Sequence, residues 1–203
     1  MVLAPVDADL SRWAAGVADR VEDRVRLAPD LFDRLTEREE RPELLLVCGI
    51  PPDAPVPADG DVVVLDRIAS PGNLGTIVRT VDALGFAAVV TVGHAASPWD
   101  PRCVRASTGS LFAVPVVHVA SPAQLDLGRR TVVATDEHGD VDLRDADVPR
   151  PCAVLLGNEE RGLSGALRER ADLTVRIPMA ASTTATSLNV AVAAGIVMAA
   201  LAS

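Results

Sequence analysis

Three separated stretches of this 203-residue chain gather side chains suited to chemistry. In residues 70–79 (SPGNLGTIVR), Asn73 is placed to cap a helix starting near Leu74, and Gly72 and Gly75 allow close backbone approach. Arg79 follows six residues after Asn73, about 1.7 turns along that helix. It stands among Ile77, Val78 and Val81, where a guanidinium needs a partner. The partner is either a nearby carboxylate such as Asp82 or Asp66, or a group that the site itself would bind. In residues 157–163 (GNEERGL), two glycines frame an amide and two carboxylates between an apolar strand and a helix. This stretch reads as a turn with a helix cap or as a binding loop. In residues 177–193 (IPMAASTTATSLNVAVA), Pro178 ends a strand and 180–186 form a loop of small residues. Ser187 and Asn189 then enter a helix of alanine and valine, as plain N-cap residues or facing a ligand. A helix so apolar is expected to be buried on every side.

The elements that position these stretches follow from periodicity. Residues 7–41 are charged and helical in period, with Leu10, Trp13, Val17, Val21, Val25 and Leu27 as apolar positions. Their mixed Asp, Glu and Arg read as a solvated helix face. A strand is expected at 43–50 (ELLLVCGI), followed by a proline-rich acidic loop at 51–60. From there the chain alternates. Strands are expected at 62–66, 87–93, 114–119, 131–136, 152–157 and 173–178, and helices at 74–85, 101–108, 123–128, 164–171 and 187–201. Near-continuous apolar strands separated by helices predict a mostly parallel α/β sheet with helices on both faces. In such sheets ligands bind beyond the carboxyl ends of the strands, where all three stretches fall. The chain divides into an extension, 1–55, and a main domain, 56–203.

Composition narrows the function. Hydrophobic residues make up 49% and aromatics 2%, so the core is aliphatic. No apolar run reaches the ~18 residues of a membrane span, and the N-terminus lacks signal-peptide character. Cys48, Cys103 and Cys152 are widely spaced and form no metal-ligand pattern, so buried free thiols, a cytoplasmic protein and no metal are expected. The net charge is −9, from 28 acidic against 19 basic residues, and every basic residue is arginine. Nucleic-acid binding would therefore depend on a local arginine cluster, not on a basic surface. G-x-G-x-x-G and G-x-S-x-G are absent, and a P-loop is impossible without lysine. His94, His118 and His138 lie outside the three stretches and read as ordinary surface or core histidines.

Taken together, the stretches resemble the three motifs of the SpoU (TrmH-like) branch of the SPOUT methyltransferases. Asn73, Gly75 and Arg79 match the first motif; Gly157, Asn158, Glu159, Gly162 and Leu163 match the second. Residues 177–179 (IPM) and 187–190 (SLNV) match the third, and 105–116 resemble the stretch between the first two motifs. The likeness spans 62–201. One departure stands out: the loop 180–186 (AASTTAT) is about two residues longer than the family pattern and borders the cofactor's adenine in relatives.

The resemblance implies a C-terminal trefoil knot, a rare exception to the rule that chains do not thread. It implies S-adenosylmethionine as cofactor, held by Thr135, Gly157, Ile177, Met179 and Leu188. It implies a homodimer through the knotted region and, as partner and substrate, tRNA or rRNA methylated on a ribose 2′-hydroxyl. Arg79 would be the central catalytic group, with Asn73, Glu159, Ser187 and Asn189 around it. A guanidinium is a poor proton acceptor, so Arg79 suits gripping an RNA phosphate and stabilising a developing alkoxide better than taking a proton. The alternative is an RNA-binding relative with weak or lost catalysis. The residues before the core either guide RNA or pad the sheet and the dimer.

Overall fold

The computed structural model describes residues 1–36, 40–158, 161–180 and 182–202. It forms two compact units, Met1–Pro51 and Pro52–Ser203.

In the first unit, β1 (Val2–Pro5), α1 (Arg12–Ala18), β2 (Arg24–Leu27), α2 (Pro29–Arg34) and β3 (Leu45–Leu46) follow in order. β1 pairs in parallel with β2 and antiparallel with β3. The continuous helical period expected over 7–41 is therefore broken. Ser11 caps α1 by accepting from the Ala14 amide at 3.2 Å, but the helix stops at Ala18. Arg24–Leu27 alternates charged and apolar residues, and this period of two becomes a strand that pairs with β1. Pro29 then starts α2, where its missing N–H costs nothing. The strand expected at 43–50 is reduced to two residues, which leaves Cys48 exposed, not buried. Arg41 ion-pairs with Asp7 (3.0 Å) and Asp33 (2.8 Å) and lies over the buried Phe32 ring.

The second unit runs β4 (Val62–Asp66), α3 (Pro71–Ala83), β5 (Ala88–Val92), α4 (Pro101–Ser107), β6 (Val116–Val119) and β7 (Thr131–Thr135). It continues through β8 (Val141–Asp142), β9 (Cys152–Leu156), α5 (Gly165–Arg168), β10 (Leu173–Arg176) and α6 (Val190–Ala202). The strands form one seven-stranded sheet in the order β6-β5-β4-β9-β7-β10-β8, and every pairing is parallel. Every residue of β4, β5 and β9 is buried, as a sheet covered on both faces requires. On one face Val63, Leu65, Val154 and Leu156 pack with Ile77 and Val81 of α3 and Val197 and Met198 of α6. On the other, Val62, Val64, Ala153 and Leu155 pack with Leu125, Leu127, Leu163 and Leu167.

Two helix starts shift from expectation. α3 begins at Pro71 because the Ser70 hydroxyl accepts from the Asn73 amide (3.3 Å), so Ser70 is the cap and Asn73 sits in the first turn. α6 begins at Val190 and not at Ser187, since the Asn189 side chain accepts from the Ala191 amide at 2.9 Å. The helix expected at 123–128 is a single 3-10 turn, Pro122–Gln124. Gly75 permits a close helix contact: a Cβ there would overlap the Cys103 carbonyl, so α3 and α4 touch through backbone. Cys103 and Cys152 are free and buried, and burial raises the Cys103 thiol to about 11. Among the described residues no helix is long and apolar enough to cross a membrane, and no cluster could hold a metal ion.

Candidate active site

Parallel strands deliver their carboxyl-end loops to one edge of the sheet, and the loops after β7, β9 and β10 line an open cavity of about 500 Å³ there. Thr135 ends β7, Gly157 follows β9, Ile177 and Met179 follow β10, and Leu188 lies just before α6; all five line the cavity. Ser187 lines it as well. Each wall has a local cause. A Cβ at Gly157 would overlap the backbone of Gly162 and Leu163, so only glycine lets the loop fold back on itself. Asn158 and Gly162 close that loop with two backbone bonds, Gly162 N to Asn158 O at 2.8 Å and Asn158 N to Gly162 O at 3.2 Å. A Cβ at Gly139 would overlap the Val175 backbone, and Arg176 donates to the Gly139 carbonyl at 2.7 Å. These contacts press the loop after β7 against β10.

Sequence reasoning missed the polar rim. Asp136, Glu137 and His138 line the cavity mouth; Asp136 pairs with Arg168 at 2.8 Å and accepts from the His138 amide at 2.9 Å. His138, read as an ordinary surface or core histidine, is exposed and stands at this rim. The only signal was position, since these residues follow a strand that feeds the same edge. Apolar walls, a glycine cradle and rim carboxylates form a donor set that fits a flat nucleoside carrying an ammonium group. S-adenosylmethionine has that chemistry.

Of the five residues expected to do the chemistry, the structure brings Asn73 and Asn189 together: Asn189 Nδ2 donates to Asn73 Oδ1 at 3.2 Å. Asn189 therefore both caps α6 and links it to α3. Ser187 lies on the cavity wall beside them. Glu159 lies outside the described residues. Arg79 is exposed on α3 and is not among the residues lining the cavity. Neither expected carboxylate holds it, because Asp66 is taken by Arg67 and the Ser164 amide, and no ion pair joins Arg79 to Asp82 or to any other described residue. The exposed face of α6 also departs from expectation. Val192 and Ile196 are 52% and 38% exposed, so this apolar helix is not buried on every side within one chain.

The chain belongs to the SpoU rRNA methylase family, which matches residues 61–199. It is 45% identical over 201 residues to the 23S rRNA (uridine(2479)-2′-O)-methyltransferase of Streptomyces viridochromogenes, covering 92% of this chain and 69% of the relative. It is 34% identical over 175 residues to the 23S rRNA (guanosine(2553)-2′-O)-methyltransferase of Bacillus subtilis, covering 85% and 69%. Among solved structures, it is similar to the SpoU methyltransferase AviRb from Streptomyces viridochromogenes in complex with AdoMet. The TM-score is 0.90 at 41% identity, over 99% of this chain and 81% of that one.

The double task of Asn189 can be separated by substitution. Asn189→Ala should lose about 1 kcal/mol in chemical denaturation, the ordinary value of an N-cap. Asn189→Asp should keep that stability, since a carboxylate also caps, while losing the donor to Asn73. An alanine variant as stable as the native protein would show that Asn189 does not cap α6.

Proposed function

We propose that this chain methylates a ribose 2′-hydroxyl of ribosomal RNA, with S-adenosylmethionine as donor, as a homodimer in the cytoplasm. The observation that carries the reading is that Thr135, Gly157, Ile177, Met179 and Leu188, drawn from three loops, line one cavity beside the Asn73–Asn189 pair. The bound cofactor would supply a methyl group on a sulfonium, which a hydroxyl oxygen attacks in line.

The chain's own residues do the rest. Gly157 and Leu188 shape a wall against which an adenine can lie, and the Asp136 and Glu137 carboxylates suit an ammonium and ribose hydroxyls. The exposure of Arg79 leaves it open to an RNA phosphate, which a planar guanidinium grips bidentately. A guanidinium next to the attacking oxygen stabilises the alkoxide as it forms, and the proton leaves to the phosphate or to water. Asn73, Glu159, Ser187 and Asn189 would orient the ribose around it. Ribosomal RNA is favoured over tRNA by the named activities of the two curated relatives.

The dimer and the knot belong to the same reading. Val192 and Ile196 lie four residues apart on one exposed face of α6, and apolar surface of this kind calls for cover. A second copy covering it would place Arg79 of α3, which packs against α6 near Thr80 and Gly195, at the seam between subunits. The knot would be formed by the segment that leads from β10 through Ser187 into α6.

Mass-spectrometric mapping of 2′-O-methylated nucleosides tests the activity. Ribosomal RNA from cells lacking the gene should lose one methylated ribose, regained with the native gene and not with Arg79→Ala. The Arg79→Ala protein should still bind the cofactor. Identical maps with and without the gene would refute the reading, and equal loss of binding and methylation in Arg79→Ala would refute the role given to Arg79. Sedimentation should give a dimer for the native chain and a monomer for the Val192→Glu, Ile196→Glu double variant; a native monomer would refute the dimer.

A further inference from the structure

Asp66 ends β4 with a carboxylate that is only 2% exposed, and Arg67, the next residue, has a backbone φ of +55°. Few side-chain-bearing residues adopt that left-handed conformation, and a bulky one held there signals a constraint. In an extended strand, neighbouring side chains point to opposite faces and cannot pair with each other. The turned backbone at Arg67 brings its side chain back over Asp66, and the two make a bidentate pair: Nε to Oδ1 at 3.0 Å and Nη2 to Oδ2 at 3.0 Å. The pair does not end there. Arg67 Nη2 also donates to the Gly162 carbonyl at 3.1 Å, and Asp66 Oδ2 accepts from the Ser164 amide at 2.6 Å. The Arg67 carbonyl accepts from Asn158 Nδ2 at 3.0 Å, while its own amide donates to the Val92 carbonyl at 2.9 Å.

Two consecutive residues thus hold the loop after β9 at three points, Asn158, Gly162 and Ser164, and anchor it to β4 and β5. Gly157, Asn158 and Gly162 line the cavity, so the clasp sets the position of one wall. Neither Asp66 nor Arg67 lines the cavity itself. We propose that Asp66 and Arg67 are positioning residues: a clasp, tensioned by the left-handed backbone at Arg67, that holds Asn158 and Gly162 in the places the cofactor requires. This rests on the reading of the cavity as the cofactor site. The clasp's polar network lies partly out of water, where charge-assisted bonds are stronger than on an open surface. Its geometry also asks for arginine, because one guanidinium bridges a carboxylate and a carbonyl together, which an ammonium on a flexible stem does poorly.

Arg67→Gly separates positioning from plain stability. Glycine takes a positive φ without strain, but it leaves the buried Asp66 carboxylate without its charged partner, so the melting temperature should fall while the loop loses its tether. Calorimetry with S-adenosylhomocysteine should show affinity about tenfold weaker, the equivalent of one charge-assisted bond lost from the wall. Hydrogen exchange should accelerate more at the amides of residues 161–164 than in β4, β5 and β9. Asp66→Asn should accelerate the same amides. Unchanged exchange at 161–164 in Arg67→Gly would overturn the clasp, whatever the ligand result. So would weaker binding accompanied by exchange that quickens equally in every strand, which marks general destabilisation. A native protein that fails to bind S-adenosylhomocysteine would count against the cofactor reading alone, and exchange at 161–164 would still decide the clasp.

Discussion

β4 is apolar from Val62 to Leu65 and buried on both faces, so hydrophobic burial alone cannot fix how far it slides against β9. Two buried acids at its ends do so. Asp61 precedes the strand and accepts from the Cys152 amide at 2.7 Å, where β9 begins, while also pairing with Arg150. Asp66 closes the strand and accepts from the Ser164 amide, beyond the end of β9. Each fully buried valine or leucine between them contributes about 1.5–3 kcal/mol to stability, a large but non-directional term. Leaving either buried carboxylate without its partner costs several kcal/mol, so the register in which both acids are satisfied is favoured over its neighbours.

Once that register holds, the site follows from geometry. Val62 opposes Ala153 and Leu65 opposes Leu156, so the loops leaving β4 and β9 rise side by side. β7 pairs with β9 on its other side and carries Thr135 and Asp136 to the same edge, and β10 adds Ile177 and Met179. α6 then returns across α3 and locks to it through Asn189 and Asn73. The groups proposed to face the cofactor and the RNA end up on different elements. The cavity is made of loops after β7, β9 and β10, while Arg79 stands on α3, outside it. This separation suits methyl transfer between a small donor held in a cavity and a large acceptor that approaches from solvent.

The central fold was legible because its signals were strong and local. Val62–Asp66, Ala88–Val92 and Cys152–Leu156 are apolar runs bounded by helices, and such runs in an α/β chain have few other solutions. The first unit was not legible. Arg24–Leu27 carries a period of two inside a stretch whose longer spacing looks helical, and strands of four or fewer residues leave little pattern to read. The cavity residues could be placed because the family likeness fixed them to strand ends. The roles of Asp66 and Arg67 could not, since a left-handed backbone at a non-glycine residue has no sequence signature. The exposed stripe on α6 was missed for a different reason: an apolar helix announces burial, but not whether its own chain or a second one supplies the cover.

Methyl transfer by this chain depends on a cavity that accepts S-adenosylmethionine despite the exposed loop that follows Met179. Isothermal calorimetry of the purified protein with S-adenosylmethionine tests this most directly. The account predicts saturable binding in the micromolar range, with one cofactor per chain. Absence of heat at millimolar cofactor, from protein that unfolds cooperatively, would contradict it.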